Sequence, residues 1–421
     1  MSDPTDINTL TERIRGFIDA HVVPLEPAFL QRGFHTVAAD LERVRDIARK
    51  EGFFAPHLPI AMGGLGLSLS AVGEVSRVLG RTPLGHYALH MQAPDISNTE
   101  LIHRWGTAAQ KERYLTPLSQ GRIRSCFSMT EPEHAGSNPT VMSTTATRDG
   151  DGWVIRGRKW FTSAADGASF AVVMAVSDPD AKPHERASFF LVPTDAPGFS
   201  IVRNLPVMGE SVAVGEAGWA SHAEVLYEDV RVGDDALLGA RGAGFAMAQE
   251  RLGPGRIHHA MRWIGIAERC LELMVARAAT RQLGHGQMLG HKDTVQGWIG
   301  RSWAELEAAR YFVRATADAM EKHGQKGARL EVSGVKLLTA GMLDSVMDRA
   351  LQVHGALGMT DLTPIAFWYR HERAARIYDG PDEVHEQVIA RDLLGRAGMP
   401  KPAFATQGKP DVSPLAAGKP E

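Results

Sequence analysis

The chain has 421 residues, 44% of them apolar and 23% charged, with a formal charge of −3. That length supports several packed layers around a sizeable core, and the near-neutral balance argues against nucleic acid as the main partner. Two cysteines, Cys126 and Cys270, are too few for a disulfide framework and lack metal-ligand spacing, so a reducing compartment is expected. The opening stretch MSDPTDINTLTERIRG carries acids where a leader would carry only bases, and no apolar run approaches membrane-spanning length. The expectation is a cytoplasmic protein that binds no metal and no membrane.

From residue 7 to about 124 the period is helical, with Leu41, Val44 and Ile47 spaced by three and with Leu101, Ile102, Trp105 and Tyr114 recurring before Gln120-Gly121. AMGGLGLSLS, from Ala61, contains a GxG but follows no strand and reads as a loop, not as a dinucleotide-binding turn. Between about 125 and 235, GWVIRG from Gly152, SFAVVMAV from Ser169 and ASFFLVP from Ala187 are runs of β-branched and aromatic residues separated by turn residues, which predicts an antiparallel sheet.

After Gly244 the helical period returns. Ile257, Met261, Ile264, Ala267, Leu271, Met274 and Ala278 step by three and four; Val295, Ile299, Leu306, Ala309 and Val313 suit one face, as do Val335, Leu338, Met342, Val346, Ala350 and Val353. The predicted fold is α+β and multidomain: helices over 1–124, an antiparallel β domain over 125–240 and a four-helix bundle over 241–399. Residues 400–421 hold five prolines in 22 residues with little to bury, and a disordered tail is expected.

The densest signal lies in RIYDGPDEVHEQVIAR, from Arg376 to Arg391. Gly380 breaks the preceding segment, Pro381 suits a first helical position, and Asp382 and Glu383 place acids in the first turn. Asp379 therefore sits just outside a helix mouth. A part-desolvated carboxylate that keeps its charge is a usable base.

CFSMTEPEHAGSNP from Cys126, GRKWFTS from Gly157, QVHGALGM from Gln352 and YDGPDEVH from Tyr378 together resemble the acyl-CoA dehydrogenase family, in the family's order and spacing over residues 5 to 398. RLGPGRIHHAMR from Arg251, with Asp where Glu is more usual at 379, is most similar to the branch fused to aminoglycoside-phosphotransferase-like kinases and its free-standing bacterial relatives. The resemblance implies the three-domain fold, FAD as cofactor, a homodimer or homotetramer whose FAD site spans two subunits, and removal of a proton from Cα and a hydride from Cβ of an acyl-CoA. Electrons would leave to an electron-transfer flavoprotein. The branch implies longer, branched or phosphorylated 4-hydroxy acyl groups, and any kinase partner would be a separate chain.

Residue by residue, the resemblance makes Asp379 the base. It places Phe127, Met129, Thr130, Phe161 and Ser163 against the flavin ring, and Arg281, Gln352, Gly355, Pro381 and Glu383 at the FAD adenine and pyrophosphate. Ser137 would meet the FAD pyrophosphate or the CoA end of the substrate, while Gly255, Arg256 and Gly380 would meet the acyl-CoA, with Gly253-Pro254-Gly255 read as a helix start. The sequence departs from the family's pattern in EPEHAGS, one residue longer than the common form, in Phe161 for Trp, and in Gly284 and His285 for Phe and Gly. His385-Glu386 opens a zinc-type HExxH that Ile389 leaves incomplete, and His86 and His90 are expected on the surface. Two rival readings remain: a flavin monooxygenase on the same scaffold, against which the carboxylate at 379 counts, and a non-enzymatic flavoprotein associated with nucleic acid.

Overall fold

The computed structural model describes residues 6–209 and 212–400. The expected proline-rich tail lies outside them apart from Pro400, as do the first five residues. In chain order come helices α1 (Ile7–His21), α2 (Glu26–Arg32), α3 (Ala38–Glu51), α4 (Leu69–Leu79), α5 (Gly85–Ala88), α6 (Asp95–Trp105), α7 (Ala108–Gln110) and α8 (Thr116–Ser119). Strands β1 (Ser125–Ser128), β2 (Thr145–Asp149), β3 (Gly152–Ser163), β4 (Phe170–Val176), β5 (Ala187–Pro193), β6 (Phe199–Asn204), β7 (His222–Gly233) and β8 (Leu237–Leu238) follow. Then come α9 (Gly244–Thr280), the hairpin β9 (Gln282–Gly284) and β10 (Gln287–Met288), α10 (Asp293–Gly327), α11 (Arg329–His354), α12 (Pro364–Glu372) and α13 (Asp382–Arg396).

Backbone packing separates the described residues into two compact units: one takes 6–92, 207–209 and 252–389, the other 93–206, 212–251 and 390–400. In the first unit α1 starts where the Asp6 carboxylate accepts the Asn8 N–H at 3.2 Å, and it buries Leu10, Ile14, Phe17 and Ile18 at helical spacing. The stripes foreseen on α9 and α11 are buried at Ile257, Met261, Ile264 and Ala267, and at Val335, Met342, Val346 and Ala350. Leu338 is the exception, 43% exposed, because the buried face of α11 passes through Val335 and Thr339 on either side of it.

Two expectations fail here. His86 and His90 are buried, not superficial: the His86 imidazole lies 2.9 Å from the Ser76 hydroxyl, and His90 is stacked on Phe54 with its Nδ1 3.4 Å from Arg45 Nη2. Polar partners make burial of both rings tolerable. Gly253-Pro254-Gly255 does not start a helix either, since α9 begins at Gly244 and runs through it. Proline removes one interior hydrogen bond, a local cost that tertiary packing on both sides of it overrides. The boundary between the two units falls inside α9, between Arg251 and Leu252.

The second unit holds α6–α8 and an eight-stranded sheet ordered β6-β7-β3-β1-β4-β5-β8, with β2 against β3 and β4. It is antiparallel except where β4 runs parallel to β1 and β2. Alternate residues on neighbouring strands, Trp153 and Ile155, Phe190 and Val192, and Val225 and Tyr227, build one continuous core. The Asp95 carboxylate of α6 fixes the start of β1 by accepting the Ser125 N–H at 2.7 Å and its hydroxyl at 2.5 Å.

Candidate active site

Within the sheet unit, the sequence-predicted residues meet where β1 lies against β3. Phe127 pairs in register with Ser163, and a bulge between Lys159 and Thr162 turns Trp160 and Phe161 out of the regular ladder. Phe161 takes a left-handed φ of 47° and is 49% exposed, a costly arrangement for an aromatic residue. Trp160 donates its backbone N–H to the Thr130 carbonyl at 3.0 Å, but its buried indole N–H meets no acceptor. The Ser163 hydroxyl is 3.0 Å from His222 Nδ1, and the Arg251 guanidinium lies 3.8 Å above the Phe127 ring.

A buried ion pair holds this corner. Lys159 Nζ donates to the Met129 carbonyl at 2.8 Å and to the Glu131 carboxylate at 2.9 Å, while Glu131 also accepts the Ser143 and Thr144 N–H groups. The segment carrying Phe127, Met129 and Thr130 is thereby tied to the strand whose bulge carries Phe161 and whose end carries Ser163. A half-exposed aromatic side chain, a nearby hydroxyl and an unmet N–H suit a planar, hydrogen-bonding ring. Ser137 lies further along the same loop, exposed in a turn.

In the helical unit, Asp379 and Gly380 form a left-handed turn, with φ of 55° and 98°, between α12 and α13. Asp tolerates that conformation better than most residues. Gly380 is required there, because a Cβ would come within 2.8 Å of His385 Nε2. Three side chains pin the turn's carbonyls. Arg256 donates to the Asp379 oxygen from Nε at 3.2 Å and Nη2 at 3.1 Å, His385 Nε2 lies 3.2 Å from the same oxygen, and Lys336 Nζ donates to the Gly380 oxygen at 2.9 Å. Burial pulls Lys336 down to about 8 against the opposing charges of Asp382 and Asp379.

The Asp379 carboxylate is only a fifth exposed, with Oδ2 3.5 Å from His259 Nε2. Behind it Arg262 donates to both Glu372 oxygens and, at 2.9 Å, to the Tyr378 hydroxyl; Trp263 Nε1 also reaches Glu372 at 3.1 Å. Burial pushes the Tyr378 phenol up and pulls both His259 and His385 down to about 4, so both imidazoles are neutral near pH 7. A neutral His385 ring donates to the Asp379 carbonyl when its Nε2 carries the proton.

The structure thus brings Asp379, Gly380, Pro381 and Arg256 together, with Pro381 capping α13 through its carbonyl to Val384 N at 2.9 Å. Gly255 is buried inside α9. Arg256, foreseen as a substrate ligand at a helix start, spends two nitrogens on the Asp379 carbonyl from the helix interior. Arg281, Gln352, Gly355 and Glu383 are exposed in the single chain; Gly355 closes α11 at a φ of 62°. The departure at Gly284 and His285 forms the β9–β10 turn, where Gly284, His285 and Gly286 all have positive φ. Sequence reasoning missed His259, Arg262, Lys336 and Glu372; a polar stripe of Arg256, His259 and Trp263 on α9 was the available signal. His385 was noticed only as half of a zinc motif, and no group of three or more metal-ligating side chains occurs among the described residues.

One unit thus holds a largely covered carboxylate on a pinned turn, and the other an exposed aromatic residue beside a hydroxyl, an arrangement a ligand-binding enzyme could use. Residues 4–122, 126–218 and 242–394 match the N-terminal, middle and C-terminal domains of acyl-CoA dehydrogenase. "Probable acyl-CoA dehydrogenase FadE2" of Mycobacterium tuberculosis is 43% identical over 86% of this chain and 87% of its own length. Acyl-CoA dehydrogenase family member 10 of Mus musculus is 38% identical over 94% of this chain, which spans only 38% of that protein. The solved acyl-CoA dehydrogenase of Geobacillus kaustophilus superposes with a TM-score of 0.79 at 27% identity, over 93% of this chain and 99% of its own. The chain belongs to the acyl-CoA dehydrogenase family. Its helical, sheet and helical segments agree with the expected fold, and no described helix is long and apolar enough to cross a membrane.

Proposed function

We propose that the chain oxidises an acyl-CoA thioester to the 2,3-enoyl-CoA, with Asp379 as the base that takes the Cα proton. The observation that carries this reading is the Asp379 turn. Its carbonyl is held by Arg256 and His385, its side chain is four-fifths covered with Oδ2 beside His259, and its N–H makes no hydrogen bond among the described residues. Fixing the backbone narrows the region that the short Asp side chain can reach. The unspent N–H is a donor for the thioester oxygen as negative charge develops there.

FAD, when bound, supplies the acceptor for the hydride leaving Cβ. Phe127, Met129, Thr130, Phe161 and Ser163 would hold its ring, a fit supported by the half-exposed Phe161 side chain and the unmet Trp160 indole N–H. Arg281, Gln352, Gly355, Pro381 and Glu383 are assigned to its adenine and pyrophosphate end, Ser137 to that end or to the CoA, and Gly255, Arg256 and Gly380 to the acyl-CoA. Electrons then pass to an electron-transfer flavoprotein, and the protein works as a homodimer or homotetramer. Longer, branched or 4-substituted acyl groups are the substrates to try first.

The test is an anaerobic titration of the FAD-loaded protein with a panel of acyl-CoAs, alongside Asp379→Asn. The expected result is stoichiometric bleaching by one substrate class in the natural protein, and retained FAD with almost no bleaching in the variant. Undiminished bleaching by Asp379→Asn would remove the base from this assignment.

A further inference from the structure

The Asp379 carboxylate has one side-chain neighbour that neither the motif nor the family likeness assigned. His259 lies on α9 one helical turn beyond Arg256, so the two reach the same turn from one face of one helix, Arg256 at the backbone and His259 at the carboxylate. Its ring is fixed on both sides, stacked on Trp263 with centroids 6.0 Å apart and 24° between planes, and edge-on to Tyr378 at 5.3 Å. Trp263 and Tyr378 are themselves bound into the Glu372–Arg262 network. The imidazole therefore has little freedom to turn away, and its Nε2 is 3.5 Å from Asp379 Oδ2.

We propose that His259 is a positioning residue for the base, an imidazole whose Nε2 side holds the Asp379 carboxylate in the rotamer that faces the substrate. The proposal rests on Asp379 being the base. The turn fixes the Asp379 backbone, but the carboxylate can still rotate about its side-chain bonds, and one donor at a fixed place removes that freedom. The 3.5 Å separation lies at the outer edge of a hydrogen bond, and catalytic contacts of this kind tighten when substrate fills the site. Neutrality matters because an imidazolium there would form an ion pair with the base and compete with the substrate proton for it. Arg262 and His258 disfavour that charge, while Asp379 and Glu372 favour it, and burial decides for the neutral ring.

The experiment compares His259→Phe, which keeps the ring packing and deletes the N–H, with His259→Gln, which restores a donor on a flexible stem. Asp379→Asn is run beside them on FAD-loaded protein. Saturating bleaching rates are measured by stopped flow, and acyl-CoA affinity is measured separately by calorimetry. His259→Phe is expected to lower the saturating rate roughly ten- to a hundredfold, the scale of a misplaced catalytic group, with affinity altered less than about threefold. His259→Gln is expected to recover most of the rate. If Phe fails to retain FAD, His259→Leu takes its place. Natural rates in the Phe or Leu variant, or a Gln variant as slow as Phe, overturn the positioning role. Because Asp379→Asn reports on the base alone, its loss of bleaching beside an unaffected His259→Phe would sink only the histidine.

Discussion

Arg256 and Asp379 meet through the guanidinium of one and the backbone carbonyl of the other, with Nε at 3.2 Å and Nη2 at 3.1 Å. The fork geometry fixes the orientation of the peptide, which a lysine ammonium cannot do. Arg256→Lys should therefore keep the fold and most FAD binding but lower the saturating bleaching rate by about tenfold or more, since small displacements of a reacting group are costly. An unchanged rate would mean that His385 and Lys336 hold the turn without it.

Gly380→Ala should be worse for stability than for any single contact. The residue has a φ of 98°, and the added Cβ would sit 2.8 Å from His385 Nε2. Backbone strain and a displaced buried ring together should cost about 2 to 4 kcal/mol, read as a fall in the urea midpoint. The FAD-loaded Ala variant should also bleach slowly, because moving His385 releases the Asp379 carbonyl. A stable and fully active variant would contradict both parts.

The fold was legible where local patterns carry it. The runs at Gly152, Ser169 and Ala187 became β3, β4 and β5, and the stripe beginning at Ile257 became the buried face of α9. The turn at Asp379-Gly380 was legible too, because glycine, proline and first-turn acids are chemically specific signals. What holds that turn was not. Arg256, His259 and Lys336 reach it from α9 and α11, more than forty residues away in the chain, and although Arg256 and His259 share a helical spacing, nothing in that spacing says which turn they meet. Local rules also misled at Gly253-Pro254-Gly255, where packing carries α9 through a sequence that should start or end a helix.

The Lys159–Glu131 pair is a second point where one side chain governs a whole corner. Both groups are buried, and Lys159 bonds the Met129 carbonyl as well. Lys159→Met strands a buried carboxylate, and Glu131→Gln strands a buried ammonium, so each alone should cost about 3 to 5 kcal/mol. The double substitution should cost less than the sum of the two, because neither charge is then left uncompensated. Thermal midpoints and FAD stoichiometry measure this together, and FAD should be lost more readily from Lys159→Met, whose lost bond holds the loop of Met129 and Thr130. Additive losses would mean that the two groups do not depend on each other.

His259 and His385 make acid stability a direct reading of this site. Burial is the larger cause in both, and it lowers each imidazole to about 4; Arg262 and His258 add to it at His259, and Arg256 and Lys336 at His385. In the unfolded chain a histidine titrates near 6.5. Above that pH neither state is protonated, and the full stability is present. Between about 6.5 and 4 the unfolded chain takes up protons that the folded chain refuses, so stability falls as the pH drops, by roughly 3 kcal/mol at most for each ring. Below about 4 these two groups contribute no further loss. Urea midpoints taken at pH 7.5, 6 and 5, at fixed protein concentration and saturating FAD, should decline less steeply in His385→Gln than in the natural protein. Parallel declines would show that the His385 ring is already protonated, or already exposed, in the folded state.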